Sequence, residues 1–191
     1  MAGNNLSDRF SSLIRASTLK TRIAEDYNAT AGIYDMRYRE EQQLKIGFLL
    51  NRVRLRDGDT VIDAGCGTGL LLESVSERAK AWLVGIDSSI GMLREAKRKG
   101  IEADLVLGDV ENMPFKDGVA DAAFSVSVIQ LAENPERAIS EIRRITKAGG
   151  AIGISYLKRA GIEPPLAAGI RAAVHASETL KDIFITGFRE D

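Results

Sequence analysis

The chain has 191 residues, of which 28% are charged and 45% are hydrophobic, and its formal net charge at pH 7 is −1. This size and balance are typical of one soluble globular domain, and a charge so close to zero provides no general attraction for nucleic acid or for a membrane surface. The one cysteine, Cys66, excludes an internal disulfide and a cysteine-rich metal site. Because no apolar run is long enough for a signal peptide or a membrane span, we expect a single cytoplasmic domain over 1–191, with no membrane contact and no metal.

The first 55 residues are predicted to form a helical cap. Apolar residues at helical spacing over 5–25 predict one amphipathic helix, and a second helix is predicted over about 37–53, with Leu44, Phe48 and Leu49 facing inward. The basic residues over 9–22 fit either a solvated helix face or a contact with RNA, and the sequence leaves both interpretations open. Residues 56–191 are predicted to form the core of the domain.

From residue 60 onwards, predicted strands and helices alternate. Strands are predicted near 60–64, 82–87, 104–107, 121–127 and 150–156, and a short final strand near 182–187. Helices are predicted near 68–79, 89–99, 134–146 and 164–180. Alternation at this spacing is typical of an α/β fold with a doubly wound, mainly parallel sheet.

The most informative feature of the sequence is a buried strand that runs into a glycine-rich turn. Residues 61–69 read VIDAGCGTG, so an acid stands at the predicted strand end and is followed by Gly65, Gly67 and Gly69. Glycine at these positions lets the backbone turn sharply and approach a ligand without a Cβ in the way. Three leucines then begin a helix, so the loop presents free N–H groups at the carboxyl end of a parallel strand, where open α/β sheets bind ligands.

Two further acids stand at predicted strand ends. Asp87 closes the second strand, where a carboxylate accepts hydrogen bonds from the hydroxyls of a ribose in dinucleotide folds. Asp109 closes the third strand, where a carboxylate accepts from the exocyclic amine of an adenine. A DxAF pattern, Asp121 to Phe124, opens the fourth strand. Acids at three successive strand ends that face one crevice predict a nucleoside site.

These spaced motifs resemble the class I S-adenosylmethionine-dependent methyltransferases, in particular their small-molecule branch, over roughly residues 25–156. The resemblance implies the Rossmann-like fold of that family and S-adenosylmethionine as the cofactor. In the family, the loop equivalent to 63–69 cradles the methionine part of the cofactor. The acid at the Asp87 position holds the ribose, and the acid at the Asp109 position reads the adenine beside the backbone of the next residue, here Val110.

Upstream, the segment YNATAGIYD at 27–35 is similar to a family segment whose aromatic side chains close over the cofactor. The resemblance therefore implies that the cofactor is bound by Tyr27, Tyr34, Asp63, Ala64, Gly65, Gly67, Gly69, Asp87, Ser88, Asp109, Val110 and Ser125. No catalytic residue is assigned. Ser125, with Ser127 and Gln130, also has a place on the side of the methyl acceptor.

NAD is the competing cofactor. A dinucleotide fingerprint requires G-x-G-x-x-G or a final alanine, whereas the sixth residue is Leu70 when counted from Gly65 and Leu72 when counted from Gly67. Residues 102–121 also contain six acids and one base, Lys116. This acidity suits a sulfonium cation better than a pyrophosphate, so the sequence favours S-adenosylmethionine.

Several of these residues have competing structural roles. Asp63 is also suited to accept hydrogen bonds from the loop amides, and Asp87 is suited to cap the following helix. Asp109 is also suited to a turn, and the two tyrosines to packing on the cap. His175, in the predicted helix over 164–180, is a weak candidate for a general base and otherwise a filler.

The methyl acceptor is not identified by the sequence. Strand four is followed by SVSVIQL, which lacks the Asn/Asp-Pro-Pro-aromatic signature of enzymes that methylate exocyclic amines. The size and neutral charge favour a small-molecule acceptor, and two alternatives remain. One is an RNA or protein methyltransferase that works with a partner subunit, so nucleic acid is not excluded. The other is a subunit that binds the cofactor without transferring methyl groups.

The C-terminus is predicted to depart from the family pattern. The family's sheet ends in an antiparallel hairpin, whereas only residues 181–191 follow the last predicted helix. The sequence therefore predicts a shortened hairpin and an exposed sheet edge. We expect this edge to pair with a second copy of the chain or with an activator subunit.

Overall fold

The computed structural model describes residues 18–160 and 169–191. Much of the predicted helix over 5–25 and of the loop after the fifth strand lies outside the described residues. The helices are α1 (Leu19–Leu50), α2 (Leu70–Ser76), α3 (Ile90–Arg98) and α4 (Pro135–Ile145). The strands are β1 (Thr60–Ala64), β2 (Trp82–Asp87), β3 (Asp104–Leu107), β4 (Ala120–Val126), β5 (Thr146–Leu157), β6 (Ile170–Ala176) and β7 (Asp182–Arg189).

The seven strands form one sheet in the order β3-β2-β1-β4-β5-β7-β6. Neighbours from β3 to β5 pair in parallel, and β7 runs antiparallel to both β5 and β6. The order reverses between β1 and β4, which makes a crevice at the carboxyl ends of these strands, as in other doubly wound sheets. The predicted α/β class and mainly parallel sheet are confirmed, with a helical cap at the N-terminal side.

In the described residues, one long helix, α1, continues from the end of the first predicted cap helix through most of the second. Thr18 caps it by accepting a hydrogen bond from the Thr21 amide. Asn28, Thr30 and Gly32 are weak helix formers, but α1 continues through them because it packs on the core. Leu49 is buried as predicted and Phe48 is partly buried, whereas Leu44 is exposed, so its inward assignment was wrong.

The predictions of a helix over 164–180 and of a shortened hairpin were wrong. Residues 170–176 read IRAAVHA, which has high helix propensity, yet they form β6 and pair antiparallel with β7 over seven residues. Strand pairing outweighs local propensity here, because β7 itself pairs with β5 over seven residues and presents its other edge. The hairpin is present and covers β5. The edges of the described sheet are β3 and β6.

Apolar side chains pack on both faces of the sheet. One cluster joins α1 and α2 to the sheet and includes Leu49, Leu71 and Phe124. The other joins α4 to the opposite face and includes Ile62, Ile142 and Ile152. Val61 and Ile62 belong to different clusters because consecutive strand residues face opposite sides. These two layers hold the strand ends, and thus the crevice, in place.

Among the described residues, no helix combines the length and the apolar character needed to cross a membrane. Within the same residues, no group of three or more His, Cys, Asp and Glu side chains is arranged to hold a metal ion.

Candidate functional site

A cavity of about 400 Å³ lies at the carboxyl ends of the central strands, under the first part of α1. This volume is within the range of small-molecule sites. Eight of the twelve predicted cofactor-binding residues line it: Tyr27, Tyr34, Gly65, Gly67, Asp87, Ser88, Asp109 and Val110. The structure thus brings together predicted residues from α1 and from the ends of β1, β2 and β3 in one cavity.

The glycine loop after β1 forms the floor of the cavity. Gly65 and Gly67 have φ angles of +81° and +53°, the left-handed region that glycine adopts readily. The amides of Gly65 and Cys66 both donate to the Ile86 carbonyl oxygen, at 2.8 and 3.0 Å, which ties the loop to β2. A Cβ on Gly65 would overlap the side chain of Val128, which also lines the cavity. Glycine is therefore required at 65 by both conformation and space.

Asp87 connects the glycine loop with the start of α3. Its Oδ2 accepts a hydrogen bond from the Gly67 amide at 2.8 Å, and its Oδ1 accepts one from the Ser89 amide at 2.8 Å. Burial raises the pKa of Asp87, although these amide hydrogen bonds partly oppose the shift. Each carboxylate oxygen can accept a second hydrogen bond, so Asp87 can hold the loop and also bind ligand hydroxyls.

Asp63 is buried beside the loop, where it lines a small second cavity of about 40 Å³ that shares Tyr34, Gly65 and Gly67 with the main one. Its Oδ1 has no hydrogen-bond partner among the described residues. Burial, with a smaller contribution from the charge of Asp87, raises the pKa of Asp63 to about 8. A buried, unpaired acid of this kind is costly unless a ligand pairs with it.

Asp109 pairs with Lys20 of α1, one of the basic residues over 9–22. Lys20 Nζ donates to Asp109 Oδ2 at 2.7 Å and lies 2.9 Å from Glu111 Oε2. The Glu111 amide donates to Asp109 Oδ1 at 2.9 Å. All three residues line the cavity, so the first turn of α1 is attached to the end of β3 across the predicted adenine position.

Tyr27 and Tyr34 lie one above the other on α1, with ring centroids 6.2 Å apart, and both line the cavity. Burial raises the pKa of both phenols, and the nearby Asp87 charge raises it further, so both hydroxyls stay protonated at neutral pH. Both tyrosines therefore lie in the cavity wall, and their closing over a cofactor stays a prediction.

Four predicted residues do not line the main cavity. Asp63 and Ala64 lie beneath it, and Gly69, at φ +79°, packs against Ala96 and Ile101 where α2 begins. Ser125 is fully buried and donates to the Ala64 carbonyl oxygen at 2.9 Å, so its assignment to the cofactor is corrected to a link between β4 and β1. Ser125 lies within β4 and is covered on its face of the sheet, whereas Ser127 lies just beyond the end of β4, with a φ angle of +60°, and lines the cavity wall.

Gln130 and His175 are also placed by the structure. The Gln130 amide donates to the Ser127 carbonyl oxygen at 2.7 Å. His175 stands on β6, where its ring lies 5.7 Å from that of Phe48 and does not line the cavity, so it is not a general base at this site. Lys20 and Glu111 were missed because neither stands in a motif. An acid two residues after a strand-end acid was the only available signal for Glu111.

The model of a family described as a methyltransferase domain matches residues 62–154. The malonyl-[acyl-carrier protein] O-methyltransferase of Serratia marcescens is 32% identical over 145 residues, which are 75% of this chain and 56% of that protein. The chain carries a class I S-adenosylmethionine-dependent methyltransferase domain. The chain spans little more than half the length of this relative.

Solved structures agree with the methyltransferase fold. A chain from the complex between the Haloferax volcanii Trm112 methyltransferase activator and a methyltransferase candidate superposes with a TM-score of 0.77 at 18% identity, covering 86% of this chain and 98% of that one. The [4+2]-cyclase SpnF superposes with a TM-score of 0.55 at 28% identity, covering 60% of this chain and 44% of that one. The first likeness concerns the fold alone.

The methyltransferase site fits the family's cofactor. The unpaired Asp63 Oδ1 suits a cationic group, and the open space beside Gly67, where a Cβ would meet no atom within 4 Å, leaves room for a ligand at the loop. Among the described residues that line the main cavity, Lys20 is the one cation, and it is paired with Asp109 and Glu111. An acidic lining suits a sulfonium and an ammonium and opposes a pyrophosphate.

Proposed function

We propose that this protein transfers a methyl group from S-adenosylmethionine to a carboxylate oxygen of a small acyl acceptor. The observation that carries the proposal is the acidic lining of the cavity around the glycine loop. Asp87, Asp109 and Glu111 line it, and Asp63 adjoins it with an unpaired oxygen. This lining matches a cofactor that has cationic groups and no phosphates.

Each part of the cofactor has a matching set of residues. Asp63 and the loop amides would hold the methionine end, Asp87 the ribose hydroxyls, and Asp109 with the Val110 backbone the adenine. When bound, the cofactor supplies a methyl group on a sulfonium, which is already a good leaving group. Tyr27 and Tyr34 would cover this end of the cavity and exclude water. The task of the protein is then to hold the acceptor atom in line with the methyl carbon.

In the described part of the cavity wall, the acids that could act as a base are paired or buried, which supports a carboxylate acceptor. A general base is required only when the acceptor must lose a proton. Among the described residues near the glycine loop, Tyr27 and Tyr34 have raised pKa values and Asp87 is engaged by two amides. A carboxylate is already deprotonated at neutral pH and needs no base. The malonyl-[acyl-carrier protein] O-methyltransferases among the relatives are named for a carboxyl substrate, which supports the same acceptor class.

Two other functions remain candidates. The likeness to the [4+2]-cyclase SpnF at 28% identity favours a reaction other than methyl transfer on the same cavity. A chain of this fold forms a complex with the Trm112 methyltransferase activator, so an RNA or protein methyltransferase that works with a partner subunit is the second alternative. Neither needs a change in cofactor binding, so acceptor assays rather than cofactor assays separate these functions.

The first experiment is calorimetric titration with S-adenosylmethionine, S-adenosylhomocysteine and NAD. We expect micromolar binding of the first two and none of NAD. Asp87→Ala should weaken binding of S-adenosylmethionine and of S-adenosylhomocysteine by at least about tenfold, because it removes the carboxylate that would bind the ribose hydroxyls and releases the Gly67 amide. Asp104→Ala is the matched control, since Asp104 is exposed at the other end of β3. Binding of NAD alone would contradict the proposal.

Transfer is then measured with methyl-labelled cofactor and malonyl-acyl carrier protein. We expect a labelled product whose methyl group is released by mild base, as a methyl ester would be. Binding of the cofactor without transfer to this acceptor would favour the other two functions.

A further inference from the structure

Ser127 has a backbone conformation that serine rarely adopts. Its φ angle is +60°, in the left-handed region that is unfavourable for a residue with a Cβ. Its amide donates to the Ser155 carbonyl oxygen at 2.9 Å and approaches the Ser155 hydroxyl at 3.2 Å. Gln130 donates to its carbonyl oxygen at 2.7 Å. Backbone strain that is held from both sides of one residue is a feature of functional positions.

Behind Ser127 lies a buried lysine, Lys45 of α1, which is 1% exposed. Its Nζ donates to Ser127 Oγ at 3.1 Å and lies 2.7 Å from Glu41 Oε1 and 3.1 Å from Asp182 Oδ2. Asp182 is fully buried at the start of β7, opposite Leu157 of β5. The ammonium therefore lies where the cap, the cavity wall and the C-terminal hairpin meet, and it pairs with an acid of the cap and with an acid of the hairpin.

The lysine determines which way the serine hydroxyl points. An ammonium donates and cannot accept, so Ser127 Oγ accepts from Lys45 and its own proton remains to be donated. Among the described residues, the Ser127 hydroxyl donates only to Gln42 Oε1 at 3.5 Å, a distance at which a hydrogen bond is weak. Since Ser127 lines the cavity, its proton is available to an oxygen atom of a ligand.

The position of Ser127 indicates which ligand this is. The adenine and ribose positions lie at the ends of β3 and β2, at Asp109 and Asp87, whereas Ser127 follows β4 on the other side of the glycine loop. Val128, the next residue, lies against Gly65. With adenine and ribose on the other side of the loop, the space beside Ser127 is left for the nucleophile, which must approach the methyl carbon in line.

We propose that Ser127 donates a hydrogen bond to an oxygen of the methyl acceptor, and that Lys45, anchored by Asp182, is the positioning residue that directs this donor. The inference rests on the proposed function, and it adds a specific acceptor contact and a link between the C-terminal hairpin and the acceptor. The atom that attacks the methyl carbon would be the second oxygen of the same carboxylate, which Ser127 leaves free.

The test uses the full chain saturated with S-adenosylhomocysteine and titrated with malonyl-coenzyme A, a soluble carrier of the same carboxylate. We expect Ser127→Ala to weaken binding of this probe about tenfold while affinity for S-adenosylhomocysteine changes less than about twofold. Lys45→Met combined with Asp182→Asn removes both buried charges together and avoids leaving either unpaired. These two substitutions together should weaken binding of the probe as much as Ser127→Ala does. Adding Ser127→Ala to them should produce no further loss of probe affinity.

Ser76→Ala and Lys116→Met are matched controls, since both side chains are exposed and neither lines the cavity. Four results would overturn the inference. In the first, the wild-type complex with S-adenosylhomocysteine does not bind malonyl-coenzyme A. In the second, Ser127→Ala weakens binding of S-adenosylhomocysteine as strongly as binding of the probe. In the third, the pair Lys45→Met and Asp182→Asn lowers the melting temperature without changing probe affinity, and in the fourth, the losses of probe affinity add when Ser127→Ala is combined with that pair. A failure of the wild-type protein to bind S-adenosylhomocysteine would instead contradict the proposed function itself.

Discussion

At the scale of single residues, Asp63 couples protonation to ligand binding. Its pKa is raised to about 8, mainly by burial, so the ligand-free protein holds the carboxyl proton at pH 7. A folded-state pKa above the unfolded value means that the contribution to stability is complete below the unfolded pKa of about 4 and is lost as pH rises through about 8. A cationic ligand reverses this preference, because it favours the carboxylate.

We therefore expect cofactor binding at pH 7 to release close to one proton, and affinity to increase as pH rises towards 8. Asp63→Asn should abolish the proton release and flatten this pH dependence, because an amide does not titrate. Calorimetry in two buffers with different ionisation enthalpies counts the protons. Asp104→Asn, at an exposed acid, should behave as the wild type does. Equal proton release from the wild type and Asp63→Asn would contradict the assignment of this carboxyl.

Gly65 provides a second prediction at this scale. An alanine there would adopt a left-handed conformation and also overlap Val128. Gly58, at φ +86°, has the same backbone restriction, but a Cβ added there would meet no atom within 4 Å. Both Gly65→Ala and Gly58→Ala should lose about 1–2 kcal/mol of unfolding free energy to backbone strain. Only Gly65→Ala should also lose cofactor affinity, by about tenfold or more. Thermal melts and calorimetry on the two variants separate strain from the local overlap.

At the scale of elements, a polar cluster attaches α1 to the glycine loop. Asp35 accepts a short hydrogen bond from the Thr68 hydroxyl and pairs with Lys99 and, at 3.0 Å, with Arg39. Arg39 also pairs with Glu73 of α2 at 3.0 Å. Burial alone would raise the pKa of Asp35, but the Lys99 and Thr68 hydrogen bonds and the neighbouring positive charges outweigh it, so the pKa is lowered.

Because the folded-state pKa is lowered, the stability from Asp35 is present above its unfolded pKa and is lost as pH falls through the folded value. Asp35→Asn should reduce the unfolding free energy at pH 7 by about 1–2 kcal/mol and increase hydrogen exchange in α1. It should also weaken cofactor binding, since α1 covers the cavity. Glu95→Gln is the control: Glu95 pairs with the exposed Arg98, and such pairs contribute little. Equal effects of the two substitutions would contradict the role of this cluster.

The C-terminal hairpin is the second element with a distinct role. Phe184 of β7 is fully buried, and its ring centroid lies 4.1 Å from that of Phe48 on α1. Phe184→Ala should cost about 3–5 kcal/mol, because it removes a buried aromatic ring and leaves a cavity. Phe188, on the same strand, is 53% exposed, so Phe188→Ala should change stability by less than about 1 kcal/mol. Denaturant unfolding of both variants measures the difference.

At the scale of the whole molecule, a partner is still predicted at the C-terminal edge of the sheet, and the structure indicates which strand it would pair with. The sequence predicted a shortened hairpin with an exposed edge, whereas both strands of the hairpin are present and β7 covers β5. The outer strand is now β6, which presents Val174 and an unpaired backbone edge in the described sheet. Long edges of this kind pair with other chains unless something blocks them.

We expect the protein to associate through β6 as concentration rises, and we expect Val174→Pro to prevent this by removing a backbone donor at the edge. Light scattering over a concentration series measures the association. A wild-type protein that stays monomeric at the highest concentration would contradict the prediction. Ser76→Ala, on α2, should associate as the wild type does.

Much of the fold was predictable because its signals are local. Residues 60–64 and 82–87 are mainly apolar strands. The first ends one residue after Asp63 and the second ends at Asp87, and the bounds of both strands were predicted correctly. Strand β6 was not predictable from its own residues, because IRAAVHA favours a helix. It forms a strand because β7 provides seven pairing partners. Ser125 was misassigned for a similar reason: the sequence does not state at which residue a strand ends and the cavity wall begins.

The sequence by itself determined the α/β class, the succession of strands along the chain up to β5, the glycine loop and the acids that surround it. These features depend on hydrophobic period, on glycine conformation and on strand ends that meet at one edge. Only the tertiary structure decided that Lys20 reaches Asp109, that Lys45 lies behind Ser127, and that Asp182 anchors it. These contacts join residues 82 to 137 positions apart, and no local propensity encodes them. They form because a long helix and a C-terminal hairpin bury polar groups that must then find partners.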